Sequence, residues 1–145
     1  MGVLCPCGAL VNALSENNNV KFTGQNGTTK GDLSYVANVC SSTLETSTLS
    51  LQFIDLETGR NSFFFVADNI TSVECKQEGQ NCVITVTGTG NVNGQQFSFE
   101  AVFRDIVAQA QKDNVQKFTI TGFLDQNGAA PVSQGSIQAL GCQEF

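Results

Sequence analysis

Short runs of Val, Ile, Phe and Thr alternate with polar residues along almost the whole chain, and Gly, Asn or Asp interrupts them roughly every 8 to 14 residues. A period of two suits a strand with one face in a core and the other in water. No stretch of helical length carries a 3.6-residue period, and 105–114 reads as a loop or a single turn. Strands are expected at 20–24, 33–41, 48–56, 62–68, 71–76, 82–90, 95–104, 116–124 and 135–141. The expected fold is all-β: an antiparallel two-sheet sandwich of jelly-roll or Greek-key type. At 145 residues the chain forms one domain with a core of ordinary size.

Three turns have a readable register. Thr58-Gly59 closes a hairpin that sets Phe53 against Phe64 and Leu51 against Val66. Asn93-Gly94 is the strongest short hairpin signal in the chain, and it pairs Gly90 with Phe97, Gly88 with Phe99, Val86 with Ala101 and Ile84 with Phe103. A phenylalanine opposite a glycine fills the volume of the missing side chain. A loop at Glu78-Gly79 would put Cys75 directly opposite Cys82, close enough for an intrachain disulfide.

Composition removes several function classes. The seven Lys and Arg are scattered and the net charge is −6, so no basic stripe exists for nucleic acid. The longest apolar run, 63–67, is far below the roughly 20 residues of a membrane helix, so no membrane span is expected. Histidine is absent, and with it the commonest general base and every imidazole ligand. An enzyme is not expected: Glu100 and Asp105 form a carboxylate pair on paper, but nothing brings them to one cleft. Sugar platforms rely on Trp and Tyr, and Tyr35 is the only one of either. Asp55, Asp105 and Asp125 each end a strand, the position of a turn-opening side chain. Asp125-Gln126-Asn127-Gly128 also echoes part of a calcium loop, without the downstream Glu. No cofactor or metal is expected.

Six cysteines remain to be accounted for. Their spacing does not match paired zinc knuckles or a redox Cys-x-x-Cys. In Cys5-Pro6-Cys7 the rigid central residue keeps the two thiols from closing on each other, so both are set to reach something else. Residues 1–15 carry no charge and lead into a soft Asn-rich stretch, which divides the chain into an arm and hinge at 1–19 and a β domain at 20–145. With Cys75 and Cys82 taken as an intrachain pair, Cys5, Cys7, Cys40 and Cys142 are left. The arm either staples its own domain or locks onto a neighbouring subunit, and spacing alone leaves both open.

A Cys-bearing leader without a secretion signal, ahead of an acidic Thr/Gly-rich β domain, resembles the subunits of bacterial endospore appendage fibres. The resemblance implies a jelly-roll subunit that polymerises with copies of itself. Cys5 and Cys7 would be its connector thiols, and Cys40 and Cys142 the acceptors. It implies an extracellular or spore-surface location without a recognisable signal peptide. The expected function is therefore a self-assembling structural subunit cross-linked between chains. The alternative is a secreted module that binds a sugar or another small ligand.

Overall fold

A computed structural model describes residues 5–106 and 112–141. The chain runs up and down through β1 (Gly8–Phe22), β2 (Thr29–Cys40), β3 (Thr48–Asp55), β4 (Phe63–Glu78), β5 (Asn81–Val92), β6 (Gln95–Asp105), β7 (Asp113–Ile120) and β8 (Leu124–Asp125). Each strand pairs antiparallel with the next, and β8 pairs back onto β1 through Lys21–Asp125 and Phe22–Leu124. The eight strands thus form a closed barrel. The expected two-sheet sandwich, jelly roll or Greek key is incorrect. Two further strands, β9 (Ala130–Val132) on β7 and β10 (Ile137–Leu140) on β1, fill the seam below the short β8.

The correction has a local cause. Closure rests on two long, bulged strands that look like broken ones in sequence. β1 changes register between Ser15 and Asn18, where Asn17 adopts φ 59°. β4 changes register twice, around Asp68 and Thr71. Bulges add twist and bend, which lets a long strand follow a barrel wall instead of passing to a second sheet. Residues 8–19, expected as an arm and hinge, are therefore the body of a wall strand that pairs with β2 along its length, apart from the bulge, and with β10 at residues 8–11.

The interior is solid. Inward positions alternate along every long strand, and Tyr35, Phe53, Phe65, Phe103 and Phe118 are fully buried among Leu33, Leu51, Ile84 and Ile120. Each such side chain contributes roughly 1.5–3 kcal/mol by leaving water. The Tyr35 hydroxyl donates to the Gln126 carbonyl, and the Gln126 amide donates to the Val115 and Gly128 carbonyls at 2.8 and 2.7 Å. That network gives the buried Tyr35 hydroxyl and Gln126 amide their partners. Desolvation in this setting raises the Tyr35 hydroxyl well above its ordinary pKa.

The Asn93-Gly94 hairpin has the expected register throughout, from Ile84–Phe103 to Gly90–Phe97, with φ of 53° and 82° at the turn. The ring that occupies the space beside Gly90 comes from Phe65 on β4, however, and not from Phe97. The β3–β4 connection is longer than a two-residue loop because Asp55 organises it. The Asp55 carboxylate accepts from the Glu57 N–H at 2.8 Å, the Thr58 hydroxyl at 2.8 Å and the Asn61 N–H at 3.1 Å. Pairing shifts by one residue, so Phe63 faces Phe53 and Phe65 faces Leu51. A one-residue shift reverses the faces of a strand, and Phe64 and Val66 point outward.

Burial alone would push the Asp55 carboxyl up, but the hydrogen bonds from Glu57, Thr58 and Asn61 outweigh it and hold the group well below the usual carboxylate range. A depressed value stabilises the fold fully above the unfolded-state pKa of about 4 and loses that contribution as pH falls through the folded value. Asp68, lowered chiefly by the Thr89 hydroxyl, adds in the same direction. Asp105, raised mainly by burial, acts oppositely: its contribution is present in acid and fades as pH rises through its folded value. In urea titrations, Asp55→Asn is expected to be less stable than the parent at pH 7, with the difference shrinking toward pH 2. A difference that stays constant with pH would contradict this role.

Candidate functional site

The two ends of the barrel differ in chemistry. One end collects the cysteines. Cys5 is bonded to Cys40 at the end of β2, and Cys7 to Cys75 on β4, each with Cα atoms 5.8 Å apart. The Cys7 carbonyl accepts from the Ser41 N–H at 2.8 Å. A Cβ on Gly141, which has φ 78°, would strike the backbone of Cys5 and Pro6. The Cys-Pro-Cys turn therefore packs as a clamp across the strand ends. Its proline keeps the two thiols apart, and they reach different strands.

Two expectations change here. Cys75 does not bond Cys82, because the β4–β5 turn is Gly79-Gln80 and puts Gln77, not Cys75, opposite Cys82. Cys82 is buried and disulfide-bonded as well, with a partner other than Cys75. Cys5, Cys7 and Cys40, expected to bridge subunits, make their bonds inside the chain. Cys142 lies outside the described residues.

At the same end, Asp113 is completely buried and accepts three backbone N–H groups: Ile106 at 2.8 Å, Gly135 at 2.9 Å and Ile137 at 3.2 Å. Asp105 accepts a fourth, from Ala139 at 2.9 Å. Carboxylates thus replace strand pairing between β10 and the β6–β7 side of the seam. Glu100, the other member of the carboxylate pair, instead binds Lys117 at 2.6 Å. Asp125 accepts from the Asn127 N–H at 3.0 Å, a local turn contact. Among the described residues no cluster of three His, Cys, Asp or Glu is arranged to hold a metal ion.

The outer wall is polar over β5 and β6, where Thr85, Thr87, Thr89, Gln96, Ser98 and Glu100 alternate with buried residues. Among the described residues no helix is long and apolar enough to cross a membrane.

The face made by β1 to β4 is different. Val36 lies opposite Ser50 and Ser50 opposite Val66, while Ser34, Gln52 and Phe64 form the next row. Leu14 and Asn12 extend the two rows onto β1, and Leu10 lies beyond them opposite Asn38. Val36, Phe64 and Leu14 are each more than half exposed, at 53, 55 and 52%. Val36, Phe64 and Val66 line a shallow depression of about 310 Å³. No residue at 10–14, 34–38, 48–52 or 64–66 carries a charge. This patch escaped sequence reading because the two-residue loop expected at Thr58-Gly59 assigned Phe64 and Val66 to the core.

Comparison of the chain with models of known protein families, with curated proteins and with solved structures finds no match.

Proposed function

We propose that this protein is a structural barrel of an oxidising, extracellular setting that associates with a second copy of itself through the uncharged patch at 10–14, 34–38, 48–52 and 64–66 of the β1–β4 wall. The observation that carries the reading is an exposed apolar patch free of charge on a chain of net charge −6. Two such chains repel one another on most approaches; a contact centred on this patch keeps Glu16, Asp32 and Asp68 at its margin rather than within it. An apolar patch of this kind on an otherwise polar surface marks an interaction face. The filled interior argues against a ligand held in the lumen, the usual site in a barrel carrier.

Cross-linking through Cys5 or Cys7, as in the appendage fibres that the sequence resembles, would require breaking a bond that the chain makes with itself. The wall is the contact that requires no such exchange. An isologous contact closes as a pair, so propagation into a fibre would need a second face.

Sedimentation equilibrium of the oxidised protein is expected to show a reversible dimer. Phe64→Asp removes two buried rings from the pair, each contributing roughly 1.5–3 kcal/mol, and inserts two unpaired charges. The dissociation constant should rise about a hundredfold or more. Thr87→Asp, on the opposite wall, serves as the control and should leave it unchanged. A strictly monomeric parent, or equal effects of the two substitutions, would refute the reading.

A further inference from the structure

The end of the barrel opposite the disulfides is a phenylalanine cluster with an opening. Phe22, Phe63 and Phe123 meet edge to face, with ring centroids 4.9 Å apart for Phe63–Phe123, 5.6 Å for Phe22–Phe123 and 5.9 Å for Phe22–Phe63. Phe53 backs this group from the core, and Phe97 lies against Phe123 at 5.4 Å. Between the 56–62 loop and the turns at Asn93-Gly94 and 121–123 lies a cleft of about 230 Å³. Its floor is Phe22, Phe63 and Phe123; its rim carries Arg60, Asn61 and Asn93.

The rim is electrostatically unusual for this chain. Acidic residues outnumber basic ones 13 to 7, yet no carboxylate lines the cleft and Arg60 is its single charge. Among the described residues Arg60 makes no ion pair; the two that exist join Arg104 to Glu78 and Lys117 to Glu100. The backbone on either side of Arg60 is held in place, since Asp55 accepts from both Thr58 and Asn61. A guanidinium on a fixed loop beside an apolar floor matches a ligand with a flat apolar body and one carboxylate. Mouths of β-barrels commonly take small ligands, and this volume is below that of a drug-sized pocket, so it suits a single ring.

We propose that the mouth cleft binds a small arene carboxylate. The ring lies on the edges of Phe63 and Phe123, and the carboxylate accepts from the Arg60 guanidinium, with the Asn61 and Asn93 amides beside it. The site is on the barrel end and is independent of the wall that joins two copies.

The test uses the intact oxidised protein and three probes: benzoate, benzyl alcohol and acetate, followed by amide chemical shifts. Benzoate is expected to move the Arg60, Asn61, Asn93 and Gly94 signals in a saturable manner, with benzyl alcohol and acetate each binding about tenfold more weakly or worse. Arg60→Gln should weaken benzoate about tenfold and bring it level with benzyl alcohol. Phe123→Leu should weaken both ring-bearing probes while leaving acetate unchanged. Arg60 is exposed, and retention of the parent spectrum in the unliganded variant confirms its fold. Equal binding of benzoate and benzyl alcohol by the parent protein, shifts located away from the mouth, or unchanged benzoate affinity in Arg60→Gln would overturn the assignment.

Discussion

Asp113→Ala is expected to lower the free energy of unfolding by about 3–5 kcal/mol, a large part of what a domain of this size has. The carboxylate has no exposed surface, and it accepts from Ile106, Gly135 and Ile137. Truncation leaves three backbone donors without a partner in a site closed to solvent, each costing about 1–3 kcal/mol before water or local rearrangement recovers part of it. Asp113→Asn keeps one acceptor oxygen but turns an N–H toward donors, so its loss should be intermediate. Urea denaturation at neutral pH measures both variants. A loss below about 1 kcal/mol for the alanine variant would mean that β10 is held by its pairing with β1 alone.

Removing the Cys7–Cys75 staple as a pair, in Cys7→Ala/Cys75→Ala, is expected to cost a similar amount. The bond joins positions 68 residues apart. In the chain-entropy model a loop of that length is worth about 4 kcal/mol. Cys5–Cys40, 35 residues apart, is only a few tenths of a kcal/mol weaker on the same count. The two loops overlap in sequence, so losing both should cost less than the sum. Denaturant unfolding of the oxidised double variant gives the value, and a change under about 1 kcal/mol would show that strand pairing alone holds the leader. Replacing both members together avoids leaving a lone thiol to reshuffle.

These two sites show what could be read in the sequence and what could not. Alternation and turn chemistry identified the strands of the middle of the chain, and Asn93-Gly94 fixed the β5–β6 register to the residue. Closure was hidden by bulges. Asn17 interrupts the alternation of β1 and Asp68 that of β4, so one strand read as an arm and the other as two. Locally, a polar break inside a strand and a turn between strands look the same.

The cysteine reading failed for a related reason. Correctly assigning the Gly79-Gln80 turn displaces Cys82 by two positions from the pairing expected for Cys75. The true partner, Cys7, lies 68 residues away and is brought near only by the curvature of the barrel. The wall and the Asp113 clamp depend likewise on register and closure. Asp55 was legible as a turn opener, but its lengthening of the β3–β4 loop was not. That lengthening sends Phe64 and Val66 outward and creates the wall.

Everything proposed for association rests on sulfurs that bond within one chain, leaving contacts between copies noncovalent. Equal amounts of nitrogen-14 and nitrogen-15 protein, mixed while unfolded and reduced, then oxidised during refolding and digested without reductant, test this directly by mass spectrometry. The expected peptides link Cys5 to Cys40 and Cys7 to Cys75, each pair carrying a single isotope. Linked peptides of mixed isotope at Cys5 or Cys7 would contradict it and return the leader to a neighbouring subunit.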